Sequence, residues 1–187
     1  MTLIAYLKNT NIYLFGSLIF LMLLTRGDHL LSSISLPDAS FAIFLMGGML
    51  LKKPKWFISL LTFSFVIDLA ALSMNNTYQI PINLGYLGLL ASYVIMWFFG
   101  LRIANTKSFL KFAGFGVVAT LITFVMSTQT YNLLSGTFPD ITIKESIQTG
   151  WEYLPQSFIY TMSYLLAYWG IQSLFKRRFV SHKASVL

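Results

Sequence analysis

Apolar residues run along this chain in six blocks separated by short polar punctuation. The blocks are 11–24, 39–51, 56–74, 84–104, 109–131 and 155–175. A helix needs about 20 apolar residues to cross about 30 Å of hydrocarbon. The pattern therefore predicts an all-α integral membrane protein, one domain over residues 1–187 with six transmembrane helices. The second block is short. Pro37 and Asp38 open it, Asp38 as its predicted N-cap, and Gly47-Gly48 interrupts it. A helix this short is expected to be sheltered by its neighbours or bent at the glycines. Ser59, Thr62, Ser64 and Asp68 give the third block a polar side. Gly114 and Gly116 in the fifth are expected to admit close helix approach. The fifth block turns polar from Ser127 to Asn132, and the stretch 135–154 is the longest without a span. Within it, Thr142-Ile143-Lys144-Glu145 has the spacing of a capping box. A short surface helix is predicted near Ile143–Gln148, and Pro155 suits the first turn of the last span.

Charge orients these blocks. If the ends alternate from an inner N-terminus, the inner segments hold Lys8; Lys52, Lys53 and Lys55; Arg102, Lys107 and Lys111; and Lys176, Arg177, Arg178 and Lys183. That is eleven of the 13 Lys and Arg; only Arg26 and Lys144 fall elsewhere. Basic segments resist translocation, so both termini are expected to be cytoplasmic. Asp28, Asp38, Asp140, Glu145 and Glu152 fall on the outer side, and Asp68 falls inside the third span.

Composition narrows the classes further. The 187 residues are 56% hydrophobic and 10% charged, with mean hydropathy +0.70. Soluble domains carry about 25% charged residues. The net charge of +7 follows from the inner basic loops, which also suit anionic lipid headgroups, and is not a nucleic-acid signal. There is no cysteine, which excludes disulfides, thiolate metal sites and thiol nucleophiles. Thr25-Arg26-Gly27-Asp28-His29 follows the first span without a small-residue cleavage pattern, so that span is read as a retained helix. No zinc-protease helix, nucleophile elbow or phosphate-binding Gly-Lys-Ser/Thr loop occurs, and no enzyme activity is expected.

The polar residues that remain share one depth. Arg26, Asp28 and His29 follow span one. Asp68 lies in the outer half of span three. Tyr78, Gln79, Asn83 and Tyr86 flank the start of span four. Gln129, Tyr131 and Asn132 close span five, and Glu152 and Tyr153 precede span six. Together they are expected to line one outward-facing cavity with apolar walls and a few convergent polar groups. An ionised residue inside a span costs about 2.5–3.5 kcal/mol on insertion scales. Asp68 is thus either a ligand acceptor or a structural partner of Arg26 or of a Tyr or Ser hydroxyl. Arg26 suits snorkelling at a helix end as well as the cavity. His29 is the candidate imidazole ligand for a metal, or a solvated loop residue. The 17% aromatic content supplies stacking, packing and interfacial side chains alike; Trp151 and Tyr153 suit the membrane interface.

Six short helices with both ends inside and a vitamin-sized outer cavity resemble the S component of an energy-coupling-factor (ECF) vitamin transporter. The sequence is most similar to the BtuM-like, cobalamin-specific S components of Gram-negative bacteria. The likeness rests on Thr25-Arg26-Gly27-Asp28-His29, on Leu36-Pro37-Asp38-Ala39-Ser40-Phe41-Ala42-Ile43-Phe44, on Asp68, on the polar link Tyr78–Tyr86 and on Leu133-Leu134-Ser135-Gly136. It covers nearly the whole membrane region, and Leu-Pro-Asp-Ala-Ser is its most specific string. The resemblance implies an inner-membrane protein with no cofactor of its own. It implies binding of cobalamin or another corrinoid from outside, and work either alone or with an ECF coupling subunit and ATPases. It carries His29, Asp68 and Tyr86 over as pocket residues. It departs from the family in one place: where the characteristic members ligate cobalt through a cysteine before span four, this chain has Thr77-Tyr78-Gln79-Ile80-Pro81. His29 is then the expected cobalt ligand, if any side chain is. The alternatives are an S component for a smaller vitamin such as thiamine, or a membrane assembly subunit that binds no ligand.

Overall fold

The computed structural model describes the backbone of residues 3–26, 36–74 and 82–184, and side chains over 10–26, 36–74 and 82–174. Among the described residues the chain is all helical. The helices are α1 (Leu3–Thr25), α2 (Ser40–Leu51), α3 (Pro54–Met74), α4 (Tyr86–Ile103), α5 (Phe109–Leu134), α6 (Ile143–Gln148) and α7 (Leu154–Ala184), with a single 3₁₀ turn at Trp151–Tyr153 before α7. Three of them, α3, α4 and α5, are long and apolar enough to cross a membrane, while Thr10–Thr25 and Ser40–Leu51 are shorter apolar helices. Two boundaries move from the predicted ones. α1 begins at Leu3 rather than near Asn11, and α7 runs on to Ala184 rather than stopping at Phe175.

Side-chain pairs fix the directions of the helices. Phe15 meets Trp56 and Arg26 meets Asp68, so α1 and α3 run parallel. Phe44 stacks on Tyr93 and Lys52 reaches Asn105, so α2 and α4 run parallel to each other. The hydroxyl of Ser92 donates to the Thr123 carbonyl and Phe109 meets Trp169, with α5 antiparallel to both neighbours. The bundle has one end marked by Arg26 and an opposite end marked by Lys52.

The short helix α2 is the axis of the bundle. It packs against α1, α3, α4 and α7, and all its residues except Phe41 and Leu50 are buried. The expectation of shelter holds and that of a bend does not: the helix runs unbroken through Gly47-Gly48. The glycines serve contact instead. A Cβ on Gly48 would strike the Trp97 carbonyl oxygen, and one on Gly100 the Leu45 carbonyl oxygen. The backbones of α2 and α4 touch there, as small residues permit between membrane helices. Gly116 similarly meets the Leu165 side chain, whereas Gly114 faces open space and makes no close approach.

Polarity is turned inside out. Ile58, Phe63, Phe65, Val66 and Leu69 are exposed on α3, while Ser64 and Asp68 are fully buried on its inner stripe with Leu60, Ile67 and Ala71. Thr62 is exposed, so the polar side predicted for α3 is narrower than its composition implies. Buried hydroxyls are satisfied by carbonyls one turn back: Thr120 donates to Gly116, and Thr123 to Ala119.

Asp38 caps α2 from one residue further out than predicted. The N-cap position is Ala39, and the Asp38 carboxylate accepts from both the backbone N–H and the hydroxyl of Ser40, at 2.9 and 2.6 Å. α6 occupies the predicted residues, and its capping box is complete: Thr142 accepts from the Glu145 N–H, and Glu145 accepts from the Thr142 N–H. The backbone and hydroxyl of Thr142 hold the Glu145 carboxyl below its usual range. A depressed carboxyl stabilises the fold above its ordinary pKa and loses that effect as pH falls through the lowered value. Protection of the 143–148 amides, relative to their intrinsic exchange rate at each pH, should therefore be greater at neutral pH than below about pH 4, and Glu145→Gln should remove that pH dependence.

Candidate functional site

The sequence candidates separate into two groups that meet at one tyrosine. The first is a buried ion pair. Arg26 leaves the end of α1 and is 4% exposed; Asp68 is fully buried. The guanidinium grips the carboxylate with two bonds, Nε to Oδ1 at 2.7 Å and an Nη to Oδ2 at 2.6 Å. Its other Nη donates to the Ser40 hydroxyl at 2.6 Å and to the Tyr93 hydroxyl. Tyr86 donates its hydroxyl to Asp68 Oδ2 at 2.7 Å. The network joins α1, α2, α3 and α4. Bidentate, charge-assisted pairs are the strong ones, and further hydrogen bonds offset the cost of burying the charges. Of the roles open to Asp68, the geometry gives the structural partner of Arg26. Arg26 does not snorkel but turns inward.

The second group lines a cleft of about 570 Å³ at the Arg26 end of the bundle. The start of α4 contributes Gly85, Tyr86 and Leu89. The end of α5 contributes Ser127, Thr128, Tyr131 and Asn132. The return to α7 contributes Phe138, Thr149, Gly150, Glu152 and Tyr153. Tyr86, Tyr131, Glu152 and Tyr153 are thus brought together as predicted. Arg26 and Asp68 are not among the lining residues.

Local chemistry holds the cleft open. Asn83 bridges two walls: its amide donates to the Ser135 carbonyl at 2.8 Å and its oxygen accepts from the Gly85 N–H at 2.9 Å. It positions the start of α4 and does not line the cleft. Gln129 fastens α6 to α5, accepting from the Ser146 hydroxyl at 2.6 Å and donating to the Ser146 carbonyl at 3.0 Å. Gly150 has φ +92°, and a Cβ there would lie 2.6 Å from Thr128 Cγ2. Only glycine turns the chain this tightly against α5, and the turn sets Glu152 and Tyr153 at the cleft. Trp151 braces it, meeting Phe124 in a tilted ring contact and donating to the Ile147 carbonyl.

His29, Tyr78 and Gln79, with Asp28, lie outside the described residues. Among the described residues no three His, Asp or Glu side chains gather as a metal site. Sequence reasoning missed Tyr93 and Ser40 as partners of Arg26. Tyr93 follows Tyr86 by seven residues, two helical turns on one face, and that spacing was the available signal. Thr149 and Phe138 carried none.

The class this arrangement defines is an all-helical protein of membrane character, apolar outside, with a polar-lipped cleft at one end. No protein-family model and no curated protein matches the chain.

Proposed function

We propose that the chain is a six-span vitamin-uptake protein of the cytoplasmic membrane, built like an ECF S component and binding its ligand from the outer side. The Lys52 end faces the cytoplasm with both termini, since Lys52, Lys53, Lys55, Arg102, Lys107 and Lys111 gather there. α1, α2 and α7 complete the six spans, α2 being tolerated because protein rather than lipid surrounds it. The observation that carries the reading is the cleft, which opens at the end opposite the basic loops and is lined by Tyr86, Tyr131, Asn132 and Glu152. Its volume lies within the about 300–1,000 Å³ of small-molecule sites. The sequence resemblance favours a corrinoid, docked by part of its bulk. The cleft's 570 Å³ favours a second reading, a smaller vitamin such as thiamine held whole. Energy for uptake comes from a coupling subunit with ATPases or from the ligand gradient.

Equilibrium binding to membrane vesicles, with cyanocobalamin and thiamine as the two probes, tests the proposal. Saturable binding of one probe is expected, reduced about tenfold or more by Tyr131→Ala. Binding of neither would leave the membrane assembly subunit as the better reading.

A further inference from the structure

The cleft's charge pattern points to the kind of ligand it takes. Of its described lining residues one is charged, and it is an acid: Glu152. The rest of the polar lining consists of uncharged hydroxyls and amides, Ser127, Thr128, Asn132 and Thr149 among them. Four aromatic residues line the same cleft: Tyr86, Tyr131, Phe138 and Tyr153. Three of them show substantial surface, Tyr131 at 37%, Phe138 at 41% and Tyr153 at 63% exposed. Among the described residues no lysine, arginine or hydrogen-bond donor engages the Glu152 carboxylate, whereas Glu145, the acid of the neighbouring helix, is fully occupied by its capping box.

A cleft lined by one carboxylate and several aromatic rings is the complement of an organic cation. The rings attract positive charge through their negative faces, and the carboxylate supplies the countercharge. Among the described lining residues an anionic ligand would find no positively charged side chain and would meet Glu152. Gly150 fixes this placement, because its left-handed turn seats the Glu152 segment against Thr128.

We infer that the cleft between the start of α4, the end of α5 and the Gly150 turn selects a cationic ligand bearing a ring or alkylammonium group, with Glu152 as its counterion and Tyr131, Phe138 and Tyr153 as its aromatic walls. The inference rests on the reading of the cleft as a ligand site and names the ligand's charge class.

The test uses the protein in neutral-lipid nanodiscs and two probes built from the same heterocycles but unlike in charge: thiamine, a cation, and thiochrome, its neutral, ring-closed oxidation product. Cyanocobalamin serves as a third, neutral probe. Thiamine is expected to bind about tenfold tighter than thiochrome, the sum of an exposed ion pair and cation–π contacts. Glu152→Gln should bring the two affinities within about threefold of each other, and raising salt should weaken thiamine but not thiochrome. Glu152 is exposed and its side chain makes no hydrogen bond or ion pair among the described residues, so the variant's thermal unfolding should match the parent's. Equal binding of thiamine and thiochrome, or an unchanged ratio in Glu152→Gln, overturns the inference and leaves vitamin binding standing. Binding of cyanocobalamin alone does the same. Binding of no probe overturns both.

Discussion

Asp68→Ala should destabilise the protein by about 3–5 kcal/mol, the usual result of removing one partner from a buried ion pair. The reason is Arg26. It is 4% exposed and surrounded by α1, α2, α3 and α4, so the variant leaves a guanidinium with its main counterion gone. Arg26→Ala should cost a similar amount, because Asp68 is then buried with only the Tyr86 hydroxyl and its lesser contacts. The double variant Arg26→Met/Asp68→Leu should recover most of the loss, since well-packed apolar replacements of buried pairs are often neutral. Urea or thermal unfolding in mild detergent, with all three variants, measures the coupling directly. Additive losses would show that the two side chains do not act as a pair. Tyr86→Phe adds a finer reading. It keeps the ring at the cleft and removes only the donor to Asp68, so about 1.5–3 kcal/mol of stability should go, the range for hydrogen bonds to charged groups. Loss of ligand binding beyond that would mean the ion pair holds Tyr86 in place for the cleft.

The second large effect is expected at the crossing of α2 and α4. Gly48→Ala and Gly100→Val should each destabilise the bundle by about 3 kcal/mol or more, the upper end for overpacked cores. The added carbon meets a backbone carbonyl in both cases, of Trp97 and of Leu45. A side chain could rotate away; a helix backbone moves only by separating the two helices. Separation would unstack Phe44 from Tyr93, whose rings lie 4.1 Å apart, and would loosen the grip of Tyr93 on Arg26. Gly16→Ala and Gly114→Ala are the controls. Nothing lies within 4 Å of the added carbon at either position, so both should be neutral or stabilising by up to about 1 kcal/mol through helix propensity. A loss at Gly16 equal to that at Gly48 would remove the close crossing as the cause.

The helices were legible because they are written locally. Apolar blocks bounded by Lys52-Lys53-Pro54-Lys55 or by the 104–108 turn announce their own length, and the capping box at Thr142–Glu145 needs only neighbours in sequence. So the sequence alone determined the all-α class and the surface helix at 143–148, and left α2 either sheltered or bent. It also singled out Tyr86, Tyr131, Glu152 and Tyr153 as residues of one end. Two properties were decided elsewhere. Whether Gly47-Gly48 bends a helix or admits a neighbour depends on whether Gly100 of α4 lies opposite, and no local spacing reports that. Whether Asp68 greets a ligand or binds Arg26, 42 residues away, depends on the crossing of α1 and α3. A charge in an apolar helix requires a partner for its desolvation, and composition states the requirement. Only the packed bundle, which brings Arg26, Ser40, Tyr86 and Tyr93 to one point, states which partner meets it. The same packing leaves Glu152 at the cleft, where no cation among the described residues pairs with it.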